Sequence, residues 1–268
     1  MNSSFVPFGS EVRFLNDRIV TATDKEFNLA DKRIVKFIIR LIGLPHFGAQ
    51  LRAYYLRQLI KQLPVKCNML DAGCGIGLNA FLAVRAGHTV TGVDKDKEKI
   101  RLAKLMADAT HLPATFRVDD ITRMTIPNKM FDTIVCFEVL EHIKQDAKAI
   151  SELSRVLRAG GTLLLSVPST GPISKINQEI KHHVREGYDV DKLTSMLKEH
   201  GFTNIRIIPI EHTLLGFLVR YLNDEFGRMS LLPATLFFPI FLPLGILDGF
   251  LPSIIKPNNI IVVAKKKS

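Results

Sequence analysis

A short apolar run beginning at Cys67 passes into Asp71-Ala72-Gly73-Cys74-Gly75-Ile76-Gly77, and a helix-forming segment follows from Leu78. A brief apolar run that ends in glycine predicts a buried strand. The glycines let the backbone turn tightly and approach a ligand closely, with no Cβ in the way. Their spacing excludes the nicotinamide fingerprint, Gly-x-Gly-x-x-Gly, which requires a glycine where Leu78 stands; here the third glycine is Gly77.

The strand-then-helix pattern repeats downstream. Strands are predicted at 67–73, 88–94, 114–120, 131–137, 162–168, 202–210 and 258–265, with helices at 78–86, 96–109, 139–158 and 191–201. This alternation predicts an α/β fold built on a doubly wound, seven-stranded, mainly parallel sheet. Residues 1–66 read as a helical N-terminal cap. Ile34, Phe37, Ile38, Leu41 and Ile42 share one face of a helix over 31–44, and a second helix over 47–63 stops at Pro64. The expected division is thus a cap at 1–66 and a main domain at 67–268.

An insertion, 211–257, separates the last two strands. The sixth strand ends at the ligand edge of the sheet and the seventh must start there, so the insertion stands over that edge. Its second half, 231–255, is almost wholly apolar, with Asp248 its only charge. Pro233, Pro239, Pro243 and Pro252, with Gly245 and Gly249, are expected to break a helix repeatedly, which favours a bent element over a straight membrane span. A lid packed on the sheet and an interfacial hairpin facing lipid are both open.

DAGCGIG resembles the first motif of the class I S-adenosylmethionine (AdoMet)-dependent methyltransferases. FDTIVCFEVLEH (131–142), LSRVLRAGGTLLLSVP (153–168) and HGFTNIRI (200–207) resemble later segments of that family, with Ala159 where the family often has proline. The resemblance covers about 67–210 and 258–266. It implies AdoMet as cofactor, with Asp71, Gly73, Gly75 and Gly77 forming the turn around it. Asp94, followed by Lys95, matches the acid that receives the ribose hydroxyls. Asp120 matches the acceptor for the adenine amine, the Ile121 N–H the donor to a ring nitrogen, and Phe137 ends the fourth strand beside the site. The implied reaction is direct methyl transfer, a positioning task, and a hydroxyl acceptor would also need a general base.

Glu138, Glu141 and His142 have i, i+3, i+4 spacing, which on a helix puts them on one face at the sheet's ligand edge. His142 is a candidate base, because an ordinary imidazole titrates near neutral pH, and Glu138 accompanies it. Glu-x-x-Glu-His also resembles the metal-binding helix of small-RNA 2′-O-methyltransferases and quinone-biosynthesis O-methyltransferases. That implies a divalent metal clamping the acceptor hydroxyls, helped by His182 or His183. Relatives with no known metal carry a similar string, so base, metal and structural roles stay open. Arg52, Tyr54 and Tyr55 lie on the lead-in helix, which in this superfamily often closes over the cofactor.

The net charge of +10 suits a polyanionic partner or plain solubility. No aromatic-rich basic strand or helix stands out as a nucleic-acid reader, so RNA methylation is an alternative, as is a non-catalytic AdoMet-fold scaffold. The favoured acceptor is small or lipid-linked, carries a hydroxyl and has a large apolar part; an anionic membrane surface is a further candidate partner. Three cysteines without zinc spacing, and a start lacking a basic-then-apolar secretory pattern, predict a cytoplasmic protein, peripheral at the inner face of a membrane if it meets one. Nothing in the sequence indicates an oligomeric state.

Overall fold

The computed structural model describes residues 47–172, 183–229 and 231–268. The predicted helix at 31–44 and His182 lie outside them. Helix α1 (Phe47–Ile60) precedes β1 (Asn68–Ala72), α2 (Leu78–Arg85), β2 (Thr89–Asp94), α3 (Lys97–Thr110), β3 (Ala114–Val118) and β4 (Phe131–Phe137). A 3-10 turn (Leu140–His142) leads to α4 (Asp146–Val156), β5 (Leu157–Pro168), α5 (Val190–Glu199) and β6 (Phe202–Ile210). The insertion forms α6 (Leu214–Met229) and α7 (Leu231–Asp248), and β7 (Asn259–Lys266) closes the sheet.

The seven strands are ordered β3-β2-β1-β4-β5-β7-β6. The neighbours from β3 to β5 are parallel, and β7 runs antiparallel between β5 and β6. Chain order reverses between β1 and β4, which opens a crevice at their C-terminal ends. β1 is buried on both faces: Met69 joins one hydrophobic cluster, while Leu70 and Ala72 join the other. Alternating side chains of one strand thus feed two cores, as a doubly covered sheet requires.

The predicted continuous helix at 139–158 is corrected. Glu138 takes a left-handed backbone (φ 57°), a 3-10 turn follows, and helix resumes only at Asp146. Tertiary contacts fix that start. The Asp146 carboxylate accepts the Tyr188 hydroxyl at 2.9 Å and pairs with Arg185, which also donates to the Ile143 carbonyl at 2.8 Å. An acid in the first turn of α4 also suits the helix dipole.

The prolines of the insertion do not break its helix, a second correction. Pro239 and Pro243 lie inside α7. Pro233 falls in the first turn, where an N–H would lack an intrahelical partner anyway. Pro239 and Pro243 are one turn apart and both lie on the exposed side of the helix. The opposite side of α7 buries Phe238, Phe241, Leu242, Gly245 and Asp248 against α6 and α1. A Cβ on Gly245 would lie 2.4 Å from Phe47 Cζ, which shows how closely α7 approaches α1.

Asp248 closes the base of this hairpin. Its buried carboxylate accepts the N–H groups of His212, Thr213 and Gly216, each at 3.1 Å, and the Thr213 hydroxyl at 2.5 Å. Thr213 in turn accepts the Leu215 N–H at 3.1 Å and caps α6. One anion at the C-terminus of α7 thereby neutralises the N-terminus of α6. Buried donors that lose an ionised acceptor are costly. Asp248→Ala is expected to destabilise the protein by about 2–4 kcal/mol, read as a lower urea midpoint, with faster amide exchange in 212–248.

Candidate active site at the C-terminal edge of the sheet

The chain leaves β1 through glycines with positive φ: 74° at Gly73, 54° at Gly75 and 87° at Gly77. A Cβ at Gly73 would lie 2.5 Å from Val139 Cγ2, and one at Gly77 2.6 Å from Phe116 Cζ, whereas one at Gly75 would meet nothing within 4 Å. Gly73 and Gly77 are therefore fixed by packing, and Gly75 opens onto a cleft of about 730 Å³.

That cleft brings together Gly73, Gly75, Asp94, Lys95, Asp120, Ile121, Glu138 and His142. Of the sequence-derived site residues, Asp71, Gly77 and Phe137 are not among its lining. Asp94 Oδ2 accepts the Gly75 N–H and Oδ1 accepts the Asp96 N–H, both at 2.9 Å. Each carboxylate oxygen has a further lone pair, so Asp94 can brace the glycine loop and still accept hydroxyls. Asp120 Oδ1 accepts the Thr122 N–H at 2.9 Å and its hydroxyl at 2.8 Å, and the Thr122 N–H in particular holds the Asp120 carboxyl below its ordinary range. Asp119, which the sequence did not single out, accepts the Asp120 N–H at 3.0 Å and the Thr125 hydroxyl at 2.9 Å, and so shapes the loop that presents Asp120 and Ile121. The adjacent acids Asp119-Asp120 were the available signal.

Asp71 lies behind the glycine loop, 2% exposed, and accepts the Ala80 N–H at 3.0 Å in the first turn of α2. Burial pushes its carboxyl up to about 7; the Ala80 bond opposes this and the charge of Asp94 adds to it.

The end of β4 forms the opposite wall. The Glu138 N–H donates to the Ser166 carbonyl at 2.9 Å. Its Oε1 accepts the Ser166 hydroxyl at 2.9 Å and the Asn259 amide at 2.8 Å, and its Oε2 lies 3.3 Å from Arg52 NH1. Arg52 comes from α1 and Asn259 from the start of β7. The 3-10 turn then separates its two candidates: His142 is exposed at the cleft, and Glu141 is buried. The rings of His142 and His183 meet edge-to-face at 4.7 Å, and the Val184 N–H donates to the Glu141 carbonyl at 2.9 Å.

Glu141, His142 and His183 each offer a ligand atom, all within 4.8 Å of one another. One carboxylate oxygen and two imidazole nitrogens suit zinc, manganese or iron(II), so the residues fit a divalent ion. Glu138 is not part of this group. The three acid and imidazole residues of the Glu-x-x-Glu-His string therefore do not share one helix face, because the left-handed Glu138 and the short turn redirect them.

Residues 70–165 match the family model of a methyltransferase domain. This segment is a methyltransferase domain, and the seven-stranded sheet has the class I methyltransferase fold. A Coxiella burnetii ubiquinone biosynthesis O-methyltransferase is 33% identical over 112 residues, 41% of this chain and 48% of that protein. A Mycobacterium tuberculosis protein named for S-adenosylmethionine-dependent methyl transfer is 29% identical over 178 residues, 59% of each chain. The chain thus spans about half the length of the curated relatives it matches. Haemonchus contortus phosphoethanolamine N-methyltransferase 2, solved with AdoMet, shares the fold at TM-score 0.59 and 19% identity, over 80% of this chain and 53% of that one. The [4+2]-cyclase SpnF shares it at TM-score 0.56 and 19% identity, over 81% and 82%. Likeness at this identity concerns the fold alone.

The position of Asp71 has a pH consequence. Its carboxyl is raised from 3.8 in the unfolded chain to about 7 when folded. Between these values the folded protein holds a proton that the unfolded chain has lost, so this group's contribution to stability falls as pH rises through that window. Asp71→Asn keeps an acceptor for Ala80 without the charge. It is expected to flatten the fall in urea midpoint across this window and to exceed wild-type stability near pH 8.

Proposed function

We propose that the protein transfers the methyl group of AdoMet to a hydroxyl of an acceptor with a large apolar part. The observation that carries this reading is the placement of His142 on the cleft wall at the edge where an apolar helical hairpin is rooted. AdoMet supplies an electrophilic methyl when bound. Asp94 would hold its ribose, and Asp120 and the Ile121 N–H its adenine. The chain's remaining task would be to align the acceptor oxygen and take its proton, a role for which we propose His142. The C. burnetii relative's own name assigns it an O-methylation in ubiquinone biosynthesis, which fits an oxygen acceptor.

The Glu141, His142 and His183 cluster favours a second form of the same chemistry. A divalent ion held there would lower the pKa of the acceptor hydroxyl and orient it. His142→Ala is expected to lower methyl transfer from labelled AdoMet into a lipid extract by roughly 10²–10⁴-fold, with AdoMet affinity in calorimetry little changed. Inactivation by chelator, reversed by manganese or magnesium, supports the metal form; full activity in chelator leaves His142 as a base that works without a metal. Normal turnover of His142→Ala sinks both.

The insertion supports the apolar half of the reading. Leu218, Tyr221, Leu236, Phe237, Ile240, Leu247, Phe250 and Ile254 are all exposed on or just after its two helices. An apolar patch of this kind marks an interaction surface. Among the described residues no helix is long and apolar enough to cross a membrane. Because the other side of α7 is core, the face is best tested by substitution, not deletion. Ile240→Glu with Phe250→Glu should leave the melting temperature and AdoMet binding near wild type. It should abolish flotation with phosphatidylglycerol liposomes at low salt and transfer to the lipid acceptor. A wild-type protein that never floats overturns the membrane part, leaving a soluble apolar acceptor.

A further inference from the structure

The two sides of Glu138 differ in a way that gives its carboxylate a defined task. Sheet order puts the adenosine anchors at one end of the cleft, with Asp120 and Ile121 following β3 and Asp94 ending β2. A cofactor held by these anchors would reach past the glycine loop of β1 toward β4, the next strand in the sheet, about 4.8 Å further on. Glu138 stands at that end. Among the described residues that line the cleft after β1 and β4, it is the only carboxylate, the others being Gly73, Gly75, Val139, His142, Ile143, Lys144 and Gln145.

Arg52 pairs with Glu138 from the far side. Arg52 does not line the cofactor cleft. It lines a second, much smaller cavity with Arg220, Glu211, His183 and Asn259, which touches the cleft through Glu138. Ser166 and Asn259 hold Oε1 while Arg52 holds Oε2, so the carboxylate is fixed on three sides between its guanidinium partner and the cleft. The left-handed backbone at Glu138 is a conformation that a non-glycine residue adopts at a cost, and the N–H bond to Ser166 maintains it.

We propose that Glu138 discriminates the charged methyl donor from its neutral product. AdoMet carries a sulfonium; after transfer, the product S-adenosylhomocysteine carries an uncharged thioether and is otherwise the same molecule. A fixed carboxylate facing the sulfur end strengthens binding of the donor and leaves that of the product unchanged, which favours exchange of product for donor after each turnover. This rests on the reading of the cleft as the AdoMet site. Arg52 acts through Glu138 as a positioning residue whose charge moderates the attraction.

The test is calorimetric binding of three ligands to the full chain: AdoMet, S-adenosylhomocysteine and sinefungin, which carries an ammonium near the methyl position. Glu138→Gln is expected to weaken AdoMet and sinefungin on the order of tenfold and S-adenosylhomocysteine less than twofold. Arg52→Gln, which removes one opposing cation and leaves the carboxylate, should shift the AdoMet-to-S-adenosylhomocysteine preference the other way. Asp94→Ala should weaken all three alike. A purely structural Glu138 would lower all three ligands equally in both the Glu138 and Arg52 variants, and that result, or no change in selectivity, overturns the proposal. If wild type binds none of the three, the cofactor reading itself fails.

Discussion

The carboxylate of Glu138 is the point on which the site depends, because four segments distant in sequence meet there. Arg52 arrives from α1, Ser166 from β5 and Asn259 from β7, and Glu138 itself directly follows β4. A half-buried carboxylate requires several partners to offset lost hydration, and each partner fixes the element that carries it. The lead-in helix, the central sheet and the return strand of the insertion are thereby held in register around one cleft wall. The left-handed backbone at this position also ends the strand and turns the chain into the 3-10 segment that presents His142.

The insertion is anchored by charge at its base and by apolar packing along its length. Arg220 of α6 is fully buried between Glu211, which follows β6, and Asp224 on its own helix, with contacts at 3.1 and 2.7 Å. Burial opposes its charge, but Glu211 and Asp224 more than compensate and raise its pKa further. Such buried ion pairs add little net stability but penalise any arrangement that separates them. Together with the Asp248 cap they set the angle at which the hairpin leaves the sheet. Phe238, Phe241 and Leu242 then bury one side of α7, which leaves Phe237, Ile240 and Leu247 on the other.

Much of the frame was legible from residues alone. The strands at 131–137 and 202–210 appear with the predicted bounds, because each apolar run is bracketed by turn-forming sequence. The glycine loop was legible because few other sequences satisfy its positive φ values, and Asp94 was legible from its place at the end of β2. The apolar stretch 231–255 was visible, but its geometry was not. Its sequence is apolar all around, so no periodicity showed which side is buried. Prolines that discourage a helix in isolation lie on the exposed side of one whose other side is held by packing.

The sequence by itself determined the α/β order, the glycine loop after β1 and the site of the insertion between the last two strands, since these follow from local patterns a few residues long. Only the tertiary structure decided which of Glu138, Glu141 and His142 faces what. The spacing suggested one helical face, yet Glu138 turns to Arg52 and Asn259 while Glu141 and His142 turn to His183, 41 residues beyond His142. Likewise, only the fold showed that Asp71 serves α2 from behind the loop and that Asp248, the lone charge in an apolar segment, caps a helix that starts 34 residues earlier at Leu214. Local sequence fixes backbone preference; the partners of a buried charge are fixed by which distant segments the sheet brings within hydrogen-bonding reach.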